Sequence, residues 1–152
     1  MKPKIYIDGK DGTTGLQIYD RLAARDDIDL LLIDEDKRKD PAERKKLMAA
    51  ADIVFLCLPD AAAVEAVALA EGTGARIIDA STAHRTAPGW VYGFPELKPG
   101  QREAIAKAQY VANPGCHATG FISIAAPLVQ AGLLPEDADL TCFSLTGYSG
   151  GG

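Results

Sequence analysis

The chain has 152 residues, 47% of them hydrophobic, with a formal net charge of −5 and an isoelectric point near 5.0. That length and apolar content fit about one globular domain with a sizeable core, and the acidic balance leaves no basic footprint for nucleic acid. The N-terminus carries no signal-peptide pattern, and Gly120 and Pro127 interrupt the longest apolar segment, so no membrane span and a cytoplasmic location are expected.

The run KIYID at 4–8 reads as a strand that feeds Asp8-Gly9-Lys10-Asp11-Gly12-Thr13-Thr14-Gly15 and then a helix over GLQIYDRLAAR. Glycines spaced GxxGxxG between strand and helix let the backbone turn sharply and approach a pyrophosphate, which the helix-start N–H groups would meet. The usual fingerprint is GxGxxG, so the middle glycine is displaced by one position, and an ordinary glycine-rich turn is the alternative reading. A second strand, DLLLI, is expected to end at Ile33-Asp34, where an acid would accept a ribose 2′-hydroxyl and favour NAD. Lys37, Arg38 and Lys39 follow directly and could instead meet the 2′-phosphate of NADP, or form only a solvated loop. Asp40, Pro41 and Glu43 then resemble a helix start, with Pro at the first helical position, ahead of ERKKLMAA.

The strand DIVFLCL leads to Leu58-Pro59-Asp60 and the helix AAAVEAVALAE, and RIIDAS leads to Asp79-Ala80-Ser81-Thr82-Ala83-His84-Arg85. Both loops fall at carboxyl ends of strands, where ligands bind in open α/β sheets, so Leu58, Pro59, Ser81, Thr82 and Arg85 are candidate cofactor or substrate contacts. Helix capping by Asp60 and plain loop hydrogen bonding explain the same residues without a ligand. The alternation of short apolar strands with helices predicts a Rossmann-like, doubly wound parallel α/β sheet.

A last βα junction carries the chemistry. YVAN runs into Asn113-Pro114-Gly115-Cys116 and a long apolar helix, HATGFISIAAPLVQAGLL, which Pro127 is expected to kink and Gly132 to close. A thiol at that helix start lies where N–H groups and the positive dipole end favour a thiolate, which makes Cys116 a nucleophile; a small buried hydrophobe is the alternative. Cys57 and Cys142 sit inside strand-like runs, IVFLCLP and LTCFSLTG, and read as core packing. Three widely spaced cysteines fit neither a disulfide framework nor a zinc site, and His84 and His117 lack metal-ligand partners, so no metal is expected. The chain finishes in Tyr148, Ser149, Gly150, Gly151 and Gly152, a glycine-rich loop with no following element, which suggests a truncated chain.

A nucleotide turn together with a cysteine nucleophile points to an acyl-phosphate reductase or aldehyde dehydrogenase, in which a thioester forms on sulfur and a nicotinamide delivers hydride. The segments IDGKDGTTGLQI, IDASTAHR, VYGFPEL, VANPGCHATG and SLTGYSGGG, collinear over the whole chain, resemble the short-form N-acetyl-gamma-glutamyl-phosphate reductases of arginine biosynthesis. The resemblance implies NADPH-dependent reduction of N-acetyl-γ-glutamyl phosphate to N-acetyl-glutamate semialdehyde and phosphate, with Cys116 as nucleophile and an acyl phosphate as small-molecule partner. It further implies that Gly9, Gly12, Thr13, Thr14 and Gly15 hold the pyrophosphate and that Ser81 lies near the nicotinamide. Ser149, Gly150 and Gly151 would close over the cofactor, and Lys37 and Arg38 would meet the 2′-phosphate of NADP(H).

By the same resemblance, residues 1–114 form the dinucleotide-binding domain and 115–152 begin a mixed α+β catalytic and oligomerisation domain. The acid/base histidine would lie beyond Gly152, the assembly would be a homodimer or homotetramer, and the 152-residue chain alone would be inactive or nearly so. Aspartate-semialdehyde dehydrogenase, a non-enzymatic NADP-sensing module and a thiol hydrolase or acyltransferase remain as alternatives.

Overall fold

The computed structural model describes residues 2–147; Ser149, Gly150 and Gly151, the loop expected to close over a cofactor, lie outside the described residues. Six parallel strands form one sheet in the order β2-β1-β3-β4-β6-β5. These are β1 (Lys4–Asp8), β2 (Asp29–Leu31), β3 (Ile53–Leu56), β4 (Arg76–Asp79), β5 (Val91–Tyr92) and β6 (Tyr110–Ala112). The helices are α1 (Thr13–Ala23), α2 (Pro41–Ala50), α3 (Asp60–Ala70), α4 (Gln101–Lys107) and α5 (Cys116–Gln130), with a 3-10 turn at Glu35–Lys37. Parallel neighbours require crossover connections, and the chain reverses its direction of travel at β1, which has β2 on one side and β3 on the other. The doubly wound α/β architecture expected from the alternating pattern is the one found.

The core sits between β1, β3 and β4 and the helices α2 and α3. In β1 every residue after Lys4 is buried, as a central parallel strand covered on both faces requires. Tyr6, Val54, Leu56 and Ile77 pack with Met48 of α2. Ala63, Ala66 and Ala70 repeat along one face of α3 and are buried, and α3 makes its close approach to α2. Asp40 caps α2 as its sequence signature implied, its carboxylate accepting from the Ala42 N–H at 2.8 Å, with Pro41 beginning the helix. Among the described residues no helix is long and apolar enough to cross a membrane.

Three features depart from the sequence reading. The second strand ends at Leu31 rather than Ile33-Asp34, because β1 pairs with it only through Lys4, Ile5 and Tyr6. Asp34 instead precedes the 3-10 turn and accepts from Lys37 Nζ at 3.2 Å. Two short elements, β5 and α4, were not anticipated. They are tied in by Gln101, whose Nε2 donates to the Tyr92 carbonyl at 2.5 Å, and by Arg76, which donates to the Ile105 and Ala108 carbonyls at the end of α4. The run TCFSLTG forms no strand, and Cys142 is exposed rather than packed in a core, because a strand needs a paired neighbour and none of the described strands lies beside 140–146. Pro127 lies inside α5, which continues to Gln130, with Gly132 in the left-handed region beyond it.

Candidate active site

Register fixes where the chemistry gathers. Asp8 pairs with Leu56, Leu56 with Asp79, and Asp79 with Ala112, so the carboxyl ends of β1, β3, β4 and β6 finish level on one edge of the sheet. The loops that leave this edge are the glycine turn, Cys57-Leu58-Pro59, the segment 80–85 and Asn113-Pro114-Gly115. At roughly 4.8 Å per strand, the glycine turn and the Cys116 turn stand about 14 Å apart.

The glycine turn shows which of its glycines serve the protein itself. Gly9 has φ +85°, and a Cβ there would overlap the Cys57 carbonyl. A Cβ on Gly15 would overlap the Gly9 carbonyl and lie 2.7 Å from Lys10 Cα. Gly12, the N-cap of α1, is different: its Cβ would find nothing nearer than the Gly9 carbonyl at 3.6 Å, ordinary contact. Internal packing therefore accounts for Gly9 and Gly15 but not for Gly12, which is exposed and has only ordinary contacts within the chain. No side-chain oxygen caps the helix start, which leaves N–H groups of the first turn, including those of Thr13 and Thr14, for a ligand. A nucleotide pyrophosphate fits this cradle.

Beside the turn lies a pocket of about 500 Å³ whose walls include Gly9, Leu58, Glu35 and Arg38. Its floor is an ion pair that sequence reasoning missed. Arg44 of α2 donates from Nη2 to Asp8 Oδ2 at 2.7 Å and from Nε to both carboxylate oxygens, with side chains 12% and 5% exposed. The Tyr6 hydroxyl also donates to Asp8, at 3.4 Å, and burial first, then the Asp8 charge, pushes that phenol above its ordinary range. The one signal available was position: Arg44 precedes the fully buried Met48 by four residues, on the same face of α2. Arg38 reaches back from the second βα connection to the glycine turn, its Nη1 2.7 Å from Asp11 Oδ2, while Lys37 turns to Asp34 and is not part of the pocket wall.

The middle of the edge is a buried polar knot. Asp79 is fully buried and accepts from the Ser81 N–H at 2.9 Å, the Ser81 hydroxyl at 2.6 Å and His84 Nδ1 at 2.6 Å. His84 stacks on Trp90 with ring centroids 4.2 Å apart, which makes it a packed loop residue. Asp60 does not cap α3 with its side chain: its carboxylate accepts from the Thr82 N–H at 2.8 Å and the Thr82 hydroxyl at 2.5 Å, and those bonds hold it below the usual carboxylate range. Cys57 lies between the Asp8 and Asp79 strand ends, where burial, reinforced by the two carboxylates, pushes its thiol up to about 11.

Cys116 is exposed and is the first residue of α5, with Gly115 as N-cap and no side-chain oxygen satisfying the first-turn N–H groups. Arg85 comes across to meet it. Its Nε donates to the Asn113 carbonyl at 3.2 Å, and its guanidinium lies so close to Gly115 that a Cβ there would stand 2.6 Å from Nη1. An exposed thiol, first-turn N–H groups that no side chain caps and a guanidinium thus converge on one turn. Alongside it runs an apolar groove of about 860 Å³ between α5 and residues 140–147, where Ile124, Phe143 and Leu145 are exposed, and where His117 bonds Ser144. Among the described residues no cluster could hold a metal ion.

Residues 33–108 match the model of the semialdehyde dehydrogenase NAD-binding domain. The chain is 60% identical over 151 residues to the N-acetyl-gamma-glutamyl-phosphate reductase of Trichormus variabilis, covering 99% of this chain and 47% of that protein. It is 56% identical over 153 residues to the reductase of the same name from Brucella ovis, covering all of this chain and 49% of that one. The chain thus spans about half the length of the curated relatives it matches. Among solved structures, it resembles aspartate semialdehyde dehydrogenase II of Vibrio cholerae, complexed with ASA, at a TM-score of 0.64 and 15% identity over 86% of this chain and 47% of that one. The aspartate semialdehyde dehydrogenase of Candida albicans with NADP gives 0.61 and 13% over 88% and 48%. Those likenesses concern the fold.

Proposed function

The chain belongs to the semialdehyde dehydrogenase NAD-binding domain family, and from that premise we propose that it supplies the cofactor-binding half and the nucleophile of an NADPH-dependent N-acetyl-gamma-glutamyl-phosphate reductase of arginine biosynthesis. The observation that carries the reading is the level sheet edge, which holds a cradle shaped for a pyrophosphate and a cysteine-headed helix on one line. The names of relatives at 56 to 60% identity support the substrate assignment, whereas the aspartate enzymes, at 13 to 15%, share the fold only.

In this reading the Cys116 thiolate attacks the γ-acyl carbon. The oxyanion that develops lies against first-turn N–H groups of α5, which no side chain satisfies. Collapse breaks the bond from acyl carbon to phosphate oxygen, phosphate leaves, and a thioester remains on Cys116. Arg85, placed against Gly115, offsets the charge of the phosphoryl group as it departs. Gly12, Thr13 and Thr14 hold the pyrophosphate on a turn whose close packing Gly9 and Gly15 permit, Leu58 and Pro59 flank the cofactor, and Arg38 meets the 2′-phosphate. A bound reduced nicotinamide would supply hydride to the thioester carbon, and breakage of the C–S bond would then release the aldehyde and return Cys116 as a thiolate. Ser81, fixed by Asp79, keeps the loop beside that position ordered. His84 is bonded to Asp79 and stacked on Trp90, His117 is bonded to Ser144, and this reading assigns neither a proton transfer.

We place the boundary between the nucleotide domain and the beginning of the catalytic and oligomerisation domain at 114/115. The burial pattern supports this, because α5 buries none of its residues against the preceding sheet. A homo-oligomer and a cytoplasmic location complete the reading.

The test joins this chain to the second half of a curated relative and follows phosphate-dependent reduction of NADP by N-acetylglutamate semialdehyde, beside Cys116→Ala. Activity that disappears in the variant supports reaction and nucleophile together. Full activity in the variant removes Cys116 from the mechanism, and preference for aspartate semialdehyde transfers the assignment to that enzyme.

A further inference from the structure

We propose that Asp11 sets how strongly the chain discriminates NADP from NAD, by holding the guanidinium of Arg38 that the 2′-phosphate needs. This rests on the reading of Arg38 as the 2′-phosphate partner. Asp11 stands between Gly9 and Gly12 in the turn that faces the cofactor phosphates, and its Oδ2 accepts from Arg38 Nη1 at 2.7 Å. Both residues line the pocket beside the turn, whose walls carry acidic and basic side chains in equal number. Such a pocket offers no surplus positive charge to an anionic dinucleotide. The Asp8 charge is matched by Arg44 in the pocket floor, leaving Arg38 with Asp11 as the pair nearest the surface.

The exposure of that pair decides its behaviour. With side chains 47% and 61% exposed, the pair is screened by solvent and weak enough to be exchanged for a phosphate. A phosphate offers a guanidinium two parallel acceptors and more charge than a carboxylate, so the exchange is favourable. Asp11 nevertheless opposes it twice, first as the partner to be displaced and then as a like charge left beside the bound phosphate. NAD, which has only a hydroxyl at that position, does not require the exchange. Asp11 therefore lowers affinity for NADP more than for NAD.

The experiment titrates the 152-residue chain with NADP and with NAD at low salt, comparing wild type, Asp11→Asn, Arg38→Gln and the double variant, with Asp11→Ala as a second removal of the carboxylate. We expect either Asp11 variant to raise the ratio of NADP to NAD affinity about two- to fivefold, the fold-change of an exposed pair, and the gain to shrink as salt is added. In the Arg38→Gln background the same change should leave the ratio where it is. If Arg38→Gln lowers the ratio while neither Asp11 variant raises it, the proposal is overturned and the Arg38 reading stands. If Arg38→Gln leaves the ratio unchanged, or the wild type binds neither dinucleotide, the reading falls and the proposal with it.

Discussion

Gly12→Ala separates packing from ligand binding in the glycine turn. At this N-cap the backbone has φ −76° and ψ 162°, open to any residue, and the added methyl meets only the Gly9 and Cys57 carbonyls, at 3.6 and 3.9 Å. Two small terms then act on stability. Alanine is a poorer N-cap than glycine, and it restricts the unfolded chain by about 0.4 to 1 kcal/mol in the opposite sense. The net change should stay within about 0.5 kcal/mol, or roughly 1 to 2 °C in Tm for a chain this long. Binding is another matter, because under the proposed function the methyl is added at the glycine that meets the pyrophosphate beside the helix-start N–H groups. Loss of one hydrogen bond to a charged group costs about 1.5 to 3 kcal/mol, which is on the order of ten- to 150-fold in Kd. Gly15→Ala is the contrasting control, since its Cβ overlaps the Gly9 carbonyl and the variant should fold poorly whatever it binds. The assay pairs thermal unfolding with titration of NADP by intrinsic fluorescence. A Gly12→Ala chain that melts and binds like wild type would refute the reasoning, because the turn would then be a packing device with no phosphate on it.

Arg44→Met should cost about 3 to 5 kcal/mol by leaving the Asp8 carboxylate buried without its partner, and adding Asp8→Asn should recover most of that in urea unfolding. Asp60 has its carboxyl held low by Thr82, so its contribution to stability is present above the ordinary value of 3.8 and is lost as pH falls through the lower folded value. Asp60→Asn should accordingly flatten the acid side of the Tm-against-pH curve, and an unchanged slope below pH 3.8 would sink that assignment. Cys57, with its thiol near 11, should resist iodoacetamide at pH 8 while exposed Cys116 and Cys142 are alkylated, and should react faster as pH rises toward 11. The same shift makes its contribution complete below the ordinary thiol value of 9.0 and lost as pH rises through about 11. Peptide mass spectrometry of the alkylated chain follows each thiol separately.

Local signals carried most of the fold. Asp40-Pro41 announced α2, the buried run KIYID announced β1, and the order of strands and helices sufficed for a doubly wound sheet. The signals failed where an element is too short to establish its period. Val91–Tyr92 spans a single strand repeat and Gln101–Lys107 less than two helical turns, and both depend on Gln101 and Arg76 reaching to distant carbonyls. The run at 140–146 failed in the opposite direction, having strand composition but no strand to pair with among those described. In the site, residues placed by the backbone were legible: the glycine turn and Cys116 both follow from a strand meeting a helix. The Asp8–Arg44 pair and the Asp79–His84–Trp90 stack were not, because partners 36 and 5 positions apart meet only through packing.

The sheet edge also explains why two cysteines of one chain differ. Asp8 and Asp79 end adjacent parts of the sheet as buried carboxylates, each satisfied internally, one by Arg44 and Tyr6 and the other by Ser81 and His84. Their charges are directed inward, so the centre of the edge is a poor place for an anion and Cys57, between them, is held as a neutral thiol. The flanks of the edge are the reverse. At the glycine turn and at Gly115-Cys116 a helix begins without a side-chain cap, its N–H groups face outward, and a guanidinium, Arg38 on one side and Arg85 on the other, lies beside it. A ligand with a phosphate at each end suits such an edge, and so does a pair of ligands that each bring one. Under the proposed function the dinucleotide and the acyl phosphate are that pair, and Cys116, on the donor-rich flank, is the thiol assigned to react with the second.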